Sequence, residues 1–248
     1  MMFAWKQDMI RFMTDAAEYS DFHALLAKEI VQRLGPGGHV CDAGCGLGHL
    51  SRAMSPYFDK ITAIDISQDA IAGLQAQAGQ YPNIDPVCGN IHELSPKTPY
   101  DKMVFCLFGK MDEILSVSKR QCRGKIVIIK KNWPCHVFSL THPPREGRSL
   151  EEVCQILSRL GIACEAKNCA IELGQPLRSA EDAVRFFRLY SHDPHPESIE
   201  FEHILPLLQR GKGEEFPYYL PARKKLGILT IDTRQIPDQI PPEMECIL

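Results

Sequence analysis

One short stretch constrains the fold of this chain more than any other. Residues 39–50 read HVCDAGCGLGHL, an apolar run that ends in an acid and is followed by glycines at alternate positions. This pattern predicts a strand at 38–42, a tight turn, and a helix at 47–57. A glycine turn lets a ligand approach the backbone closely, and the helix N-terminus beyond it offers free N–H groups. We therefore expect a ligand site at this turn.

Strands and helices alternate along the chain after the turn. Helices are predicted after a capping Ser67, at 110–121, and from the capping box that begins at Ser149. Between them, apolar runs predict strands at 60–65, 84–88, 101–107, 125–130 and 162–173, with a late strand at 227–232. Apolar strands that alternate with helices indicate an α/β fold with a doubly wound parallel sheet, covered on both faces.

The remaining segments are predicted to be mainly helical. Residues 3–17 and 22–34 have the apolar periodicity of two amphipathic helices, and Ser179 begins another helix late in the chain. In that late helix, arginines and acids share one face, which predicts a solvated salt-bridge surface. We expect a single domain made of an N-terminal helical cap (1–35), a core (36–173), a helical insert (174–226), and a final strand with the tail (227–248).

Composition excludes several classes of protein. The 248 residues have a net charge of −3, which does not favour a nucleic-acid partner. The sequence contains no apolar run of about 18 residues, so no membrane partner is expected. Charged residues near the N-terminus argue against a secretory signal. The ten cysteines show no metal-binding spacing and are typical of reduced thiols. We expect a cytoplasmic protein without a metal site.

The residues of the glycine turn distinguish between two cofactor classes. The dinucleotide fingerprint requires a third glycine where this chain has His49. The carboxylate of Asp42, at the end of the strand, would repel a pyrophosphate and attract a cationic amine or sulfonium. The turn therefore favours S-adenosylmethionine over NAD as the cofactor.

Two further positions suit a nucleoside. Asp65 ends the second strand, beside the turn, where a carboxylate can accept hydrogen bonds from both ribose hydroxyls. After the third strand, Asn90 offers a side-chain amide to the edge of an adenine, with Ile91 as an apolar neighbour.

Together these residues resemble the class I S-adenosylmethionine-dependent methyltransferases, over about 36–173 and the late strand. The resemblance implies a Rossmann-like sheet of seven strands in which the last strand is antiparallel and lies between the fifth and sixth. It also implies cofactor contacts from the ends of four strands. The implied cofactor-binding residues are Asp42, Ala43, Gly44, Cys45, Gly46, Asp65, Ile66, Asn90, Ile91 and Cys106.

By this resemblance, each part of the site has a role. The turn from Gly44 to Gly46 contacts the methionine moiety and Asp42 lies near its amino group, while Asp65 holds the ribose. Ile66 packs on the adenine. Asn90 stands where the family usually has Asp, and it keeps a hydrogen-bonding group at the adenine edge. Residues 106–108 line the methionine side.

No motif identifies the methyl acceptor. The sequence CLFG at 106–109 differs from the motif of amino-methylating nucleic-acid enzymes, and Lys130, Lys131 and Asn132 do not suit a divalent cation. Trp133, Pro134 and Cys135 keep an RNA cytosine methyltransferase as a less favoured alternative. Methyl transfer often needs only alignment, with a base where the acceptor must lose a proton. The candidates for a catalytic group are Tyr19, Lys131 and His136.

The sequence thus predicts an S-adenosylmethionine-dependent methyltransferase with a small or medium-sized acceptor. We expect the cap and the insert to enclose this acceptor above the strand ends. A binding module that senses S-adenosylmethionine without catalysis is the main alternative. The oligomeric state and the methylated atom stay open.

Overall fold

The computed structural model describes residues 7–132, 138, 149–191 and 193–239. Within these ranges, ten strands and eight α-helices follow one another. The strands are β1 His39–Ala43, β2 Lys60–Asp65, β3 Ile84–Cys88, β4 Lys102–Cys106, β5 Lys125–Lys131, β6 Cys164–Glu172, β7 Gln175–Leu177, β8 Gln209–Arg210, β9 Tyr218–Leu220 and β10 Arg223–Asp232. The helices are α1 Gln7–Tyr19, α2 Phe22–Leu34, α3 His49–Met54, α4 Gln68–Gln75, α5 Met111–Gln121, α6 Leu150–Arg159, α7 Ala180–Tyr190 and α8 Phe201–Ile204.

Seven of the described strands form the main sheet, in the order β3-β2-β1-β4-β5-β10-β6. Neighbouring strands from β3 to β5 run parallel, and β10 is antiparallel to both β5 and β6. This confirms the predicted doubly wound sheet with its antiparallel last strand. The last strand begins at Arg223 rather than at 227, because its first residues extend the pairing with β6 as far as Glu172.

The sheet is covered on both faces, as its apolar strands predict. Successive side chains of a strand point to opposite faces, so Ile126 and Ile128 pack on one side and Val127 and Ile129 on the other. The first side is covered by α5 and α6, and the second by α2, α3 and α4. The carboxyl ends of the parallel strands are therefore held between two packed layers.

The two N-terminal helices pack against different parts of the molecule. Helix α2 lies on the main sheet, where Leu26 and Ile30 are fully buried. In α1, Phe12 belongs to a separate apolar cluster with Leu177, Phe186 and other residues of the segment between β6 and β10. Helix α1 therefore bridges to the insert, while α2 belongs to the layer that covers the sheet.

Ion pairs join α1 to the insert. Arg11 and Asp182 are 2.5 Å apart, and Arg178 and Asp15 are 2.7 Å apart. The side chain of Asp15 is only 7% exposed. The expectation of a solvated salt-bridge face on α7 is wrong for these residues, because their partners lie on a helix more than 160 positions earlier in the chain. Helical spacing alone carries no signal for such a partner.

The insert contains strands as well as helices. Strands β7, β9 and β8 form a small antiparallel sheet, which the prediction of a helical insert did not include. These strands have two or three residues each, too few to show an alternating pattern. Among the helices in the described part of the chain, none is long and apolar enough to cross a membrane.

Candidate cofactor and acceptor site

A cavity of about 890 Å³ opens above the carboxyl ends of the parallel strands. This is the position at which open α/β sheets bind ligands. One half of its wall comes from the loops after β1, β2, β3 and β4, and we call this the cofactor half. The other half comes from α1, α2, the end of β5, residue 138, the segment 173–175, α7 and β10, and we call this the acceptor half. Nine of the ten predicted cofactor residues line the cavity, namely Asp42, Gly44, Cys45, Gly46, Asp65, Ile66, Asn90, Ile91 and Cys106.

Ala43 is the predicted cofactor residue that does not line the cavity. Its side chain is fully buried in the sheet and packs in the core on the side of α5 and α6. The last residue of β1 thus serves packing, and the cavity wall resumes at Gly44. The resemblance implies cofactor contacts from the whole run 42–46, but the side chain of Ala43 points into the core.

The glycine turn needs glycine for two measurable reasons. Gly44, Gly46 and Gly48 have φ values of 72°, 52° and 72°, in the left-handed region that side chains disfavour. In addition, a Cβ at Gly44 would lie 2.2 Å from the ring of Phe108, and a Cβ at Gly48 would lie 2.7 Å from Leu74. The turn is therefore fixed in shape, and the ring of Phe108 covers the backbone at Gly44.

Asp65 holds the glycine turn in place. The backbone N–H of Gly46 donates to its Oδ2 at 2.8 Å, and the N–H of Ser67 donates to its Oδ1 at 2.9 Å. Each carboxylate oxygen can accept a second hydrogen bond. The side chain that sequence reasoning assigned to a ribose thus also anchors the turn, and both oxygens keep accepting capacity at the cavity wall.

Asp42 lies at the base of the cavity with 1% exposure. The hydroxyl of Ser51 donates to its Oδ2 at 2.5 Å. Burial raises the pKa of Asp42 to about 6; the hydrogen bond from Ser51 opposes this shift, and the charge of Asp65 adds to it. A cationic group beside Asp42 would favour its ionised form. The geometry therefore suits the ammonium or sulfonium that the sequence predicts here.

Two apolar side chains are unusually exposed at the cofactor half. Ile66 is 51% exposed and Leu107 is 46% exposed, and both line the cavity. Leu107 also has a φ of 56°, the only positive value among the described residues other than glycine. Exposed apolar surface at a concave site indicates a place for an apolar group of a ligand. The sequence predicted Ile66 for the adenine and Leu107, within 106–108, for the methionine side.

The amide of Asn90 is already engaged within its own loop. Its Oδ1 accepts from the N–H of His92 at 3.1 Å, and its Nδ2 donates to Glu93 at 2.8 Å. One amide hydrogen and one lone pair of Oδ1 are left for a ligand. Ile91, the next residue, contributes to the cavity wall while packing mainly into the core.

The cysteines at the cavity are protonated thiols. Burial is the largest cause that raises the pKa of both Cys45 and Cys106, and the charge of Asp42 adds to it. Thiols with raised pKa values are poor nucleophiles and poor metal ligands. Within the described ranges, no group of three His, Cys, Asp or Glu side chains is arranged to hold a metal ion.

Lys130 fixes the loop after β4. Its Nζ donates to the carbonyl oxygens of Phe108 and Gly109, and burial lowers its pKa to about 8. The loop that carries Leu107 and Phe108 is therefore tied to the end of β5. Sequence reasoning had considered Lys130 only as a residue unsuited to holding a metal ion.

Two histidines at the boundary of the two halves were not predicted as site residues. The rings of His23 and His49 are 5.3 Å apart, and both line the cavity. Burial lowers their pKa values to about 4 and about 3, so both are neutral at pH 7. Arg52 donates to Nδ1 of His49, which leaves its proton on Nε2. His49 drew attention only as the residue that breaks the dinucleotide fingerprint, and His23 carried no signal.

The three candidates for a catalytic group differ in their position relative to the cavity. Tyr19 does not line the cavity; its hydroxyl accepts from the N–H of Lys212 at 2.8 Å and its ring stacks on Tyr219. Tyr19 is thus in the wrong place for catalysis, because the end of α1 faces the insert. Lys131 lines the cavity. His136, like Trp133, Pro134 and Cys135, lies outside the described residues.

The acceptor half contains several residues that the sequence did not assign to the site. Aromatic and apolar side chains from α1, α7 and residue 138 face Lys224 and Leu226 of β10. Side chains alternate along β10, so Lys224 and Leu226 lie on the same face of the strand. This placement can be inferred only once the strand is known to begin at Arg223. The lining residues of this half are Met13, Ala16, Phe22, His23, Lys131, Phe138, Leu173, Gly174, Gln175, Phe186, Tyr190, Lys224 and Leu226.

Comparison with known proteins identifies the core. Residues 40–122, from β1 through α5, match the family model of the methyltransferase domain. This segment is similar to a methyltransferase domain. This segment carries the glycine turn, Asp65, Asn90 and Cys106, so it covers the cofactor half of the cavity. The resemblance to class I enzymes and the prediction of S-adenosylmethionine as the cofactor are confirmed at the level of this domain family.

Solved structures share the fold of this chain. The YcgJ protein from Bacillus subtilis superimposes with a TM-score of 0.55 at 13% identity, over 85% of this chain and 97% of that one. An S-adenosylmethionine-dependent methyltransferase from Thiobacillus denitrificans, solved in complex with S-adenosyl-L-homocysteine, gives a TM-score of 0.53 at 15% identity, over 88% and 96%. A search of curated proteins gives no match to this sequence.

Proposed function

We propose that this chain is an S-adenosylmethionine-dependent methyltransferase whose acceptor is a small or medium-sized molecule. The observation that carries the proposal is the continuous cavity, whose wall joins the loops of the methyltransferase domain to side chains of the cap and the insert. Its volume of about 890 Å³ lies in the upper part of the range of about 300–1,000 Å³ that is usual for ligand pockets. A cofactor and a small acceptor fit that volume better than a polymer does.

The cofactor half suits S-adenosylmethionine on its own chemistry. Asp42 and Asp65 supply negative charge and hydrogen-bond acceptors for a cation and a ribose. Ile66 and Leu107 offer apolar surface for the base and for the methionine side chain. A dinucleotide would bring two negative phosphates to the glycine turn beside Asp42, which Coulomb repulsion disfavours.

Bound S-adenosylmethionine supplies an activated methyl group on a cationic sulfur. The chain's contribution is to align the acceptor and to exclude water. Lys130 fixes the loop after β4, and Asp65 fixes the glycine turn, so the cofactor half is preorganised before binding. The neutral rings of His23 and His49 line the cavity where its two halves meet. Burial makes both rings weak bases, so they help to shape the site for the acceptor.

Transfer of labelled methyl groups tests the proposal. The purified chain is incubated with S-adenosyl-L-[methyl-³H]methionine and an acceptor panel of phenols, amines, thiols, carboxylic acids and short RNAs. We expect incorporation into a small molecule, and reduced incorporation by Asp65→Ala when the cofactor concentration is limiting. Binding of the cofactor without transfer to any class would favour the non-catalytic binding module, and transfer to RNA alone would favour the RNA enzyme.

A further inference from the structure

Two lysines lie side by side at the acceptor half. In the antiparallel pairing of β5 and β10, Lys131 is opposite Leu226. Lys224 lies in β10, two residues before Leu226. Opposite residues and next-but-one residues share a face of the sheet. Lys131, Leu226 and Lys224 therefore point to the same side, and all three line the cavity. Lys225, which lies between Lys224 and Leu226 in sequence, is exposed and does not line the cavity.

The ammonium group of Lys224 is buried next to a second positive charge. Burial, together with the positive charge of Lys131, lowers the pKa of Lys224 to about 8. Glu172 is the carboxylate whose charge acts on Lys224 in the opposite direction. However, Glu172 accepts from the hydroxyl of Tyr219 at 2.6 Å and from the N–H of Ala222 at 3.0 Å. Within the described ranges, no carboxylate forms an ion pair with Lys224.

Aromatic rings form the wall next to the lysines. Nζ of Lys224 lies 4.3 Å from the ring centroid of Phe138. The ring of Phe138 packs edge-on against Phe186 at 5.0 Å, and Phe186 contacts Tyr190 at 4.8 Å. The hydroxyl of Tyr190 is buried and has no hydrogen-bond partner in the described part of the chain. This wall combines a large apolar surface with an ammonium group and one unused hydroxyl.

The two halves of the cavity carry opposite charges. Asp42 and Asp65 end β1 and β2, whereas the lysines lie on β5 and β10. In the strand order, three spacings separate β1 from β10, which corresponds to about 14 Å. A charged ligand group that binds in one half is therefore too far away to interact strongly with the other half. The cation is expected at the carboxylates, and an anion at the lysines.

We propose that the acceptor is a small apolar carboxylic acid, with its carboxylate between Lys131 and Lys224 and its apolar part against Phe138, Phe186 and Tyr190. This inference rests on the proposed function, since it names the substrate class of the same cavity. An anion at this position relieves the repulsion between the two ammonium groups. The aromatic wall selects against small polar anions such as phosphate.

Matched ligand pairs test the substrate class. The probes are apolar carboxylic acids of graded chain length and ring size, each compared with its own primary amide, in the presence of saturating S-adenosylhomocysteine. We expect at least one acid to bind about tenfold or more tighter than its amide. Lys224→Met is expected to abolish this preference while keeping the thermal shift that S-adenosylhomocysteine causes. Lys225→Met is the matched control. We expect it to keep both the preference for the acid and the thermal shift with S-adenosylhomocysteine.

The outcomes separate this inference from the proposed function. If S-adenosylhomocysteine stabilises the protein but no acid is preferred over its amide, the carboxylic acid proposal is wrong and the methyltransferase proposal stands. If neutral phenols bind more tightly than the carboxylic acids, Lys224 has a role other than anion binding. If Lys224→Met keeps the preference for the acid, the anion is held elsewhere. A complete absence of S-adenosylhomocysteine binding contradicts the proposed function itself.

Discussion

The two halves of the cavity are built in different ways. The cofactor half comes from loops within 42–109, each following directly on a parallel strand of the main sheet. The acceptor half combines α1, α2, residue 138, α7 and β10, which lie far apart in sequence. The cofactor half is shaped by backbone conformation and by hydrogen bonds to the glycine turn. The second half depends on side-chain contacts between α1 and the insert, including the ion pairs of Arg11 and Arg178.

This difference implies that the halves respond to different mutations. Changes at the glycine turn should act on cofactor binding and on the stability of the core. Changes at the contact between α1 and α7 should act on acceptor binding and leave the cofactor in place. Opposite results would mean that the two halves form one cooperative site.

Gly44→Ala is expected to have the largest effect. The new methyl group would meet the ring of Phe108 at 2.2 Å, at a φ of 72°. Left-handed strain of about 1–2 kcal/mol and overpacking of about 1–3 kcal/mol together predict a loss of about 2–5 kcal/mol in unfolding free energy. Urea unfolding measures it, with S-adenosylhomocysteine binding as the second readout.

Gly161→Ala is the matched control for the glycine turn. Gly161 has a φ of 74°, and no atom lies within 4 Å of the point that a Cβ would occupy there. The positive φ is shared with Gly44 and the clash is absent, so a loss of about 1–2 kcal/mol is expected. Equal losses at Gly161 and Gly44 would show that Phe108 moves away freely and does not fix the turn.

Asp65→Ala should weaken cofactor binding by about 1–3 kcal/mol, because charged hydrogen bonds to the ribose are lost and the N–H of Gly46 loses its acceptor. Calorimetric titration with S-adenosylhomocysteine gives the change in affinity. Asp69→Ala, on the exposed first turn of α4, is the control and should bind normally. Unchanged affinity in Asp65→Ala would place the ribose elsewhere.

Asp42→Asn is expected to separate stability from binding. The pKa of Asp42 is raised from 3.8 to about 6 in the folded protein, so the folded state binds the proton more tightly than the unfolded state. The unfolding free energy should therefore fall as pH rises from about 4 to about 6. The asparagine variant lacks this decrease and should be more stable than wild type by about 1–3 kcal/mol at pH 7.5.

The same variant should bind S-adenosylhomocysteine more weakly at pH 7.5, because the charge facing the ammonium is gone. Thermal unfolding at pH 4 and pH 7.5, with and without ligand, measures both effects. A variant that is less stable than wild type at both pH values would show that the carboxylate of Asp42 is not penalised by burial.

Arg178→Met should have the smallest effect on the cofactor half. It removes the ion pair with Asp15, which is partly screened by solvent, so the expected loss in stability is about 1 kcal/mol. Arg185→Met, whose pair with Asp8 is longer and more exposed, is the control with almost no loss. Cofactor affinity should stay unchanged in both variants. A fall in S-adenosylhomocysteine affinity in Arg178→Met would contradict the separation of the halves.

The sequence predicted the cofactor half well because its signals are local. An acid, alternating glycines and apolar runs stand next to each other in residues 39–50, and the end of each strand marks a site position. The ring of Phe108 over Gly44 and the buried side chain of Ala43 depend on packing between strands, so they had no local signal. The sheet order itself was predictable only through the family resemblance.

The acceptor half was predicted poorly for a physical reason. Tyr19, Arg178 and Asp182 find their partners at large sequence separations, and periodicity within one helix carries no information about them. Strands of two or three residues, such as β7 and β8, are too short to show a period. Lys224 became recognisable only when its strand and the pairing with β5 were known.

Calorimetric titration of the purified chain with S-adenosylhomocysteine, and in parallel with NAD⁺, distinguishes a sulfonium-cofactor site from a dinucleotide site. We predict saturable binding of S-adenosylhomocysteine at one site per chain and no binding of NAD⁺, because the carboxylate of Asp42 lies beside the glycine turn and repels a pyrophosphate. Binding of NAD⁺ in preference, or the absence of both heat and thermal stabilisation at millimolar S-adenosylhomocysteine, would contradict the account.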